Sequence, residues 1–404
     1  MIPPASGIPN FLRSINSSTF TSDLDRQATI REAHALVSRL ETAWDTSSRI
    51  CMAYPGLLAC VKTALDLGLF RSWLDKNDGA PLTADELHTL VPHCDKMLLL
   101  RILRHLANTN CLWLRTGTAT TENASDEEDL VRYEMTPYVR GQVEIDLASQ
   151  TEKTLLWALP IMMSLPPFFK SINYENPGGE GKDVTKYFTG GLSIWEYLQQ
   201  NEGWADVFGR LMKATGRLRG DLTELVEGVD LTCESDSEVL LVDVGGNVGH
   251  DLMDFRRRFP NAHGRLILQD LPHVIETASQ VEQFGIERMG YDFFTPQTVQ
   301  GAKAYLLHNI LHDWSDEDVK KILQNMKSAL KRGYSKLLIL DMVVSETDPE
   351  LRETSFDWVM TIYGSGMERT EKHWRSLIGP LGLKITNIWR SPKFPEGLIE
   401  VELA

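Results

Sequence analysis

The stretch Val239–His250, VLLVDVGGNVGH, joins an apolar run to a glycine-rich turn and then to residues that open a helix. An apolar run of that length bounded by glycines predicts a strand buried on both faces, as in a parallel sheet. The pattern recurs downstream. RLILQD (265–270), IERMGYD (286–292), AYLLHNIL (304–311) and KLLILDMVV (336–344) predict further strands with helical segments between them. Strands alternating with helices predict an α/β fold. LKITNIWR (383–390) and GLIEVELA (397–404), around a Pro-containing turn, predict an antiparallel hairpin at the sheet's edge.

The glycine turn is the first candidate site. Gly245, Gly246 and Gly249 let the backbone come close to a bound cofactor, and the helix that follows offers its N-terminal amides. Asp243 closes the strand before them. The next strand ends in Asp270, followed by Leu271, where a carboxylate can hold both ribose hydroxyls of an adenosine. A tight βα turn without a ligand shares these features, as does a nicotinamide dehydrogenase. Against the latter, the last glycine of GxGxxG comes one position early, at Gly249. The third strand leads into Asp292-Phe293-Phe294, suited to an adenine amine and the face of its ring.

The second candidate is the run from His308 to Asp318, HNILHDWSDED. Parallel strands bring their C-termini to one side, so His312 falls in the crevice where open α/β sheets bind ligands. Ser315 and Asp318 predict a capped helix whose buried stripe is Val319, Ile322, Leu323 and Met326. Two carboxylates complete the set. Asp341 ends KLLILD, and Glu368 lies in GSGMERTEKHW. A carboxylate accepting the Nδ1 proton of a histidine fixes its tautomer and raises its basicity. Taken singly, each residue has a plainer reading: a surface histidine, a strand-end turn residue and the cap of the next helix.

Before this region the chain is different in kind. DRQATIREAHALVSRL and YPGLLACVKTALDLGLF read as helices, and Thr83 with Glu86 forms a capping box. KMLLLRILRHLANTNCL follows as an amphipathic helix, then two strand-like segments flank an acidic loop: the winged-helix order. DNA reading does not fit it. The expected wing carries Glu122, Asp126, Glu127, Glu128 and Asp129 before Arg132, and the whole chain has 41 Lys+Arg against 56 Asp+Glu, net −15. A packing or dimerisation module fits better. Residues 146–230 read as helices rich in Trp, Phe, Tyr and Met, either core or the wall of an apolar pocket. Cys51, Cys60, Cys94, Cys111 and Cys233 are scattered without CxxC spacing, which predicts neither a disulfide framework nor a metal site. The N-terminal residues do not read as a signal peptide, and no apolar run has the length of a membrane span. A cytoplasmic protein without nucleic-acid or membrane partners is expected.

LLVDVGGNVGH, LILQDLPHVIETA, GYDFF, ILHDWSDEDVKKIL and GMERT together resemble, in this order, the motifs of S-adenosylmethionine-dependent O-methyltransferases of the plant caffeate and fungal secondary-metabolite type. The resemblance is specific from Leu240 to Ala404 and weaker from about Ala53. It implies a Rossmann-like domain over 146–404 with a seven-stranded sheet and an antiparallel last strand. The substrate helices 146–230 belong to it, and a mainly helical winged-helix dimerisation domain spans 1–145. It implies S-adenosylmethionine as cofactor, no metal, and a homodimer through the N-terminal domain. Asp243, Gly245, Gly246, Gly249, Asp270, Leu271, Asp292, Phe293 and His308 would hold the cofactor, with His312 as general base flanked by Asp341 and Glu368. The aromatic-rich helices suit an aromatic hydroxyl acceptor, with Trp157, Met163, Phe169, Trp195, Met212, Trp358, Met360 and Tyr363 as candidate wall residues. Asn247, His308 and Asp341 depart from the family pattern; Asn247 stands where the family usually has a glycine, and Asn tolerates positive φ better than most residues. Two alternatives stay open: a pericyclase of this fold that binds S-adenosylmethionine without transferring its methyl group, and a catalytically silent binding or regulatory protein.

Overall fold

The computed structural model describes residues 7–116, 131–179, 181–215, 222–391, 394 and 396–404. The acidic wing residues Glu122 to Asp129 lie outside them. Two compact units are present: Met1–Leu155 with Val207–Ala214, and Leu156–Asp206 with Thr215–Ala404. The first unit thus runs to Leu155 and takes a short piece from the 146–230 segment.

In the first unit the helix Lys96–Asn108 is capped by Asp95, whose Oδ1 accepts the Leu98 N–H at 2.9 Å. It buries Leu99, Ile102, Leu103, Leu106 and Ala107, the three- and four-residue spacing of one helical face. These pack with Val61, Ala64, Leu69, Phe70, Trp73 and Leu87 in one core. Thr83 and Glu86 form the expected capping box. Strands β1 (Leu112–Thr116) and β2 (Val131–Met135) pair antiparallel as the stem of a wing. The helices Ile8–Ser14, Asp23–Leu40 and Ala43–Ser48 bury no residue at all and leave Phe11, Leu40 and Trp44 exposed.

The second unit is built on strands β3 (Val239–Val244), β4 (Arg265–Asp270), β5 (Ile286–Gly290), β6 (Ala304–His308), β7 (Lys336–Val344), β8 (Arg369–Thr370), β9 (Leu383–Arg390) and β10 (Glu396–Leu403). Their order is β5-β4-β3-β6-β7-β10-β9, with the short β8 added beside the end of β7. The strands from β5 to β7 are mutually parallel, and β10 and β9 run antiparallel. This is a Rossmann-like mixed sheet of seven strands. Within the terminal hairpin it is β10 that enters the sheet against β7, leaving β9 at the edge, because GLIEVEL is the more apolar half.

Alternation along each strand divides the core in two. Ile267, Tyr305, Leu307, Leu337 and Ile339 face one layer, and Leu266, Leu268, Leu306, Leu338 and Leu340 face the other. The first layer is covered by the helix Asp316–Lys327 through Val319, Ile322, Leu323 and Met326, and by Trp374, Leu377 and Ile378 of the helix Glu371–Ile378. The second is covered by Leu252, Met253 and Phe255 of the helix His250–Arg258. With both faces dry, cutting one of these leucines back to alanine costs about 2 to 5 kcal/mol. The strand C-termini are thereby held as a rigid rim.

Candidate active site

The glycine turn lies on that rim, held to β4 by the N–H groups of Gly245 and Gly246, which both donate to the Gln269 carbonyl at 2.8 and 3.1 Å. Gly245 and Gly249 have φ of 77° and 81°, and Asn247, the family departure, has φ 53°, the left-handed conformation its side chain tolerates. The glycines answer to protein atoms as well. A Cβ on Gly246 would stand 2.2 Å from Asp243 Oδ2, and one on Gly245 would stand 2.6 Å from Ile310 Cδ1. Asp243, buried beneath the turn, therefore fixes its path from below.

Asp270, at the end of β4, spans the turn: Oδ2 accepts the Asn247 N–H at 2.8 Å and Oδ1 accepts the Leu271 N–H at 2.7 Å. Leu271 is exposed at the start of the short helix that follows. Beyond β5, Asp292 is exposed and accepts the Phe294 N–H at 2.9 Å. Phe293 and Phe294 both meet Trp314 edge-on, centroids 5.8 and 4.8 Å apart. At the end of β6, His308 is buried with Nδ1 2.8 Å from Asp251 Oδ2, tying the strand to the helix after the glycine turn. Its Nε2 has no hydrogen-bond partner among the described residues.

His312 sits in the 3₁₀ turn Leu311–Asp313 that follows β6. Its Nδ1–H donates to Glu368 Oε1 at 2.8 Å, the tautomer being assigned from this bond. Nε2 is thereby left to accept. Glu368 is not the cap of the next helix, since Thr370 Oγ1 takes the His373 N–H there. Asp341 differs from its expected place: β7 continues to Val344, so it lies within the strand instead of closing it. It is fully buried, and neither carboxylate oxygen has a hydrogen-bond partner among the described residues. It acts on His312 through its charge, with no hydrogen bond between them.

The electrostatics follow from that crowding. Burial alone would lower the His312 pKa, yet the carboxylates of Glu368, Asp313 and Asp341 carry it up to about 10. Burial, reinforced by Glu368, pushes Asp341 up to about 7. The surrounding carboxylates thus favour the protonated imidazole, the form His312 takes once it has accepted a proton.

Two residues of this site were not singled out in the sequence. Asp313 Oδ1 stands 3.7 Å from His312 Nε2. Arg369, with its side chain wholly buried, donates to Asp316 Oδ1 at 2.9 Å and to the carbonyls of Leu311 at 3.0 Å and Trp314 at 2.7 Å, and lies over the Trp374 ring. It thus straps the His312 turn to the segment carrying Glu368. The Met367 N–H bonded to the His312 carbonyl at 2.9 Å is a second strap. The run GMERT held the only signal: a charge placed beside a candidate orienting glutamate.

The eight candidate wall residues do not form one surface. Trp157 is fully buried against Trp204, 5.5 Å between centroids. Phe169 and Trp358, 6.0 Å apart, line a cleft of about 590 Å³ together with Tyr174, Asp357 and Glu368. Trp195 and Tyr363 pair at 6.3 Å, with Tyr363 and Met360 buried. Met163 is exposed, and Met212 belongs to the first unit. Among the described residues no group of three or more His, Cys, Asp and Glu could hold a metal ion, and no single helix is long and apolar enough to cross a membrane.

Fold and crevice define a Rossmann-like α/β protein with a histidine–carboxylate site at the carboxyl ends of its strands. The O-methyltransferase domain family matches residues 179–384. A fungal relative, O-methyltransferase mfmE of Annulohypoxylon moriforme, is 36% identical over 394 residues, spanning 97% of this chain and 94% of its own. The chain belongs to this O-methyltransferase family. Two solved structures superpose over nearly the full length at 25% identity. One is LepI in complex with SAM, with a TM-score of 0.84 over 99% of this chain and 98% of that one. The other, described as a pericyclic reaction enzyme, has a TM-score of 0.83 over 99% of each chain.

Proposed function

We propose that this protein binds S-adenosylmethionine and transfers its methyl group to a phenolic hydroxyl of a small aromatic secondary metabolite, with His312 as general base. The observation that carries the reading is the His312–Glu368 bond at 2.8 Å, which leaves Nε2 as the proton acceptor in the crevice beside the glycine turn. When bound, the cofactor supplies an electrophilic methyl group on a positively charged sulfur. The residues present fit it. Asp270 would take the ribose and Asp292 with Phe293 the adenine. The turn Gly245–Gly249 and the open Nε2 of His308, another buried polar atom, would face the amino-acid part. Asp243 acts beneath the turn.

The surrounding carboxylates raise the basicity of His312, and the positive charge of a bound sulfonium would work against that rise. The neutral imidazole then removes the acceptor proton while Glu368 stabilises the imidazolium that forms. A phenol, pKa near 10, yields its proton to such a base far more readily than an aliphatic alcohol. Asp341 raises the basicity of His312 through its charge. Trp358, Phe169, Trp195, Tyr363 and Met360 would form the wall of the acceptor site.

The superposition on a pericyclic reaction enzyme favours a second reading, in which the bound sulfonium acts by its charge and the methyl group stays in place. The two are separated by one product. Incubated with S-adenosylmethionine and a panel of phenols, the protein should form S-adenosylhomocysteine in step with a methyl ether. Isomerisation of a polyketide or alkaloid with no S-adenosylhomocysteine would establish the pericyclic reading instead.

We also propose a homodimer through the N-terminal helices, supported by the exposed Phe11, Leu40 and Trp44 on helices that bury nothing. Light scattering should give about twice the chain mass, and a monomer at micromolar concentration would overturn this.

A further inference from the structure

Each methyl transfer would leave a proton on His312, and the way that proton leaves is a separate problem from the way it arrives. The imidazole is 9% exposed. On its Nδ1 side Glu368 is 1% exposed, and Asp341 is fully buried. One acid differs. Asp313 lies on the Nε2 side, 3.7 Å away through Oδ1, and its side chain is 33% exposed. That separation is beyond hydrogen-bond length, so Asp313 stands beside Nε2 without occupying it.

We propose, resting on the general-base reading above, that Asp313 is the proton exit of this site: it takes the proton from Nε2 of His312 after each turnover and passes it to solvent. The acceptor O–H gives its proton to Nε2 as an oxygen lone pair forms the new C–O bond, and the electrons of the breaking C–S bond stay on sulfur. The imidazolium then gives the Nε2 proton to Asp313 Oδ1. The resulting carboxylic acid releases it to water or to a buffer base, so neither residue ends the cycle changed. The titratable groups facing Asp313 are His312, Glu368, Asp341 and Tyr363. Burial pushes the Tyr363 hydroxyl up to about 12, so it stays neutral and does not compete for the proton as a base. Partial burial, with Glu368 adding to it, raises the Asp313 pKa, which narrows the gap the proton must cross from His312.

The test uses the full chain with Asp313→Asn, which keeps shape and removes the exchangeable carboxylate. In a single turnover the variant should lose no more than a few-fold in rate, through the lower basicity of His312, while its steady-state kcat falls about tenfold or more. That kcat should recover as a small buffer base, imidazole or acetate, is raised at constant ionic strength, whereas the wild type stays indifferent to buffer concentration. Independently of turnover, water exchange of the His312 Nε2–H, followed by nitrogen-15 NMR on the ligand-free protein, should become buffer-dependent only in the variant. Unchanged steady-state turnover would overturn the proposal. So would a loss confined to KM, or an equal loss in the first turnover with no buffer response. If His312→Ala leaves turnover intact, the base reading itself fails, and the exchange measurement still reports on Asp313 alone.

Discussion

The two halves of the crevice are built on opposite principles. On the glycine side the carboxylate of Asp270 is satisfied at both oxygens by backbone N–H groups, and Asp251 is joined to His308. On the base side, both oxygens of Asp341 and Oε2 of Glu368 are buried without a hydrogen-bond partner among the described residues. A buried carboxylate lacking partners opposes folding, so it persists where its charge serves something else. In the proposed reading the glycine half would face a ligand with the open Nε2 of His308, and the base half would hold charge in reserve for a proton.

The largest effect expected to separate them is at Glu368. Glu368→Gln should lower turnover by about a hundredfold or more, since the amide no longer fixes the tautomer or stabilises the imidazolium. The His312 titration, followed by nitrogen-15 NMR, should move to lower pH. A variant with normal turnover would place the orienting role elsewhere.

On the glycine side, Asp270→Ala should weaken S-adenosylmethionine binding by about 10- to 100-fold, the worth of charge-assisted hydrogen bonds. Calorimetry measures it, and kcat at saturating cofactor should change far less. An unaltered affinity would remove Asp270 from the ribose site.

The smallest effect carries the most telling sign. Asp341→Asn should stabilise the fold by about 1 kcal/mol while lowering turnover, as expected when a functional charge is relieved. Its pH dependence follows from linkage. In the unfolded chain Asp341 loses its proton near pH 4, in the folded protein near 7. The folded form binds more protons between those values, so wild-type stability falls as pH rises from about 4 to 7, and the variant should lose that slope. His312 adds a further decline from about 6.5, its unfolded value, through about 10. Denaturant titrations across pH would show both.

Much of this was legible in the chain, for physical reasons. The strand–glycine–helix order is local, and an apolar run bounded by glycines reads as a strand buried on both faces. Ser315 does cap the following helix, and Thr83 with Glu86 forms the box expected of them. His312 could be placed because parallel strands deliver their ends to one rim, while Glu368, just ahead of a helix, was set beside it by the resemblance. Arg369 and Asp313 could not, since their roles depend on the 311–316 and 366–369 segments meeting in space. The aromatic helices were illegible for another reason. Spacing shows that Trp157 and Trp358 lie on helical faces, but not that one is sealed in the core and the other open on a cleft. The glycines were legible as glycines, while the atoms that require them, Asp243 and Ile310, were not.

The central claim is that His312 removes the acceptor proton during methyl transfer. Its most direct test is a single-turnover assay with S-adenosylmethionine labelled in the methyl carbon, comparing wild type with His312→Ala on a phenol the wild type accepts. The account predicts labelled methyl ether from the wild type, and a rate lower by about a hundredfold or more in the variant, with cofactor affinity by calorimetry unchanged. Equal rates of label transfer in the two proteins would contradict it.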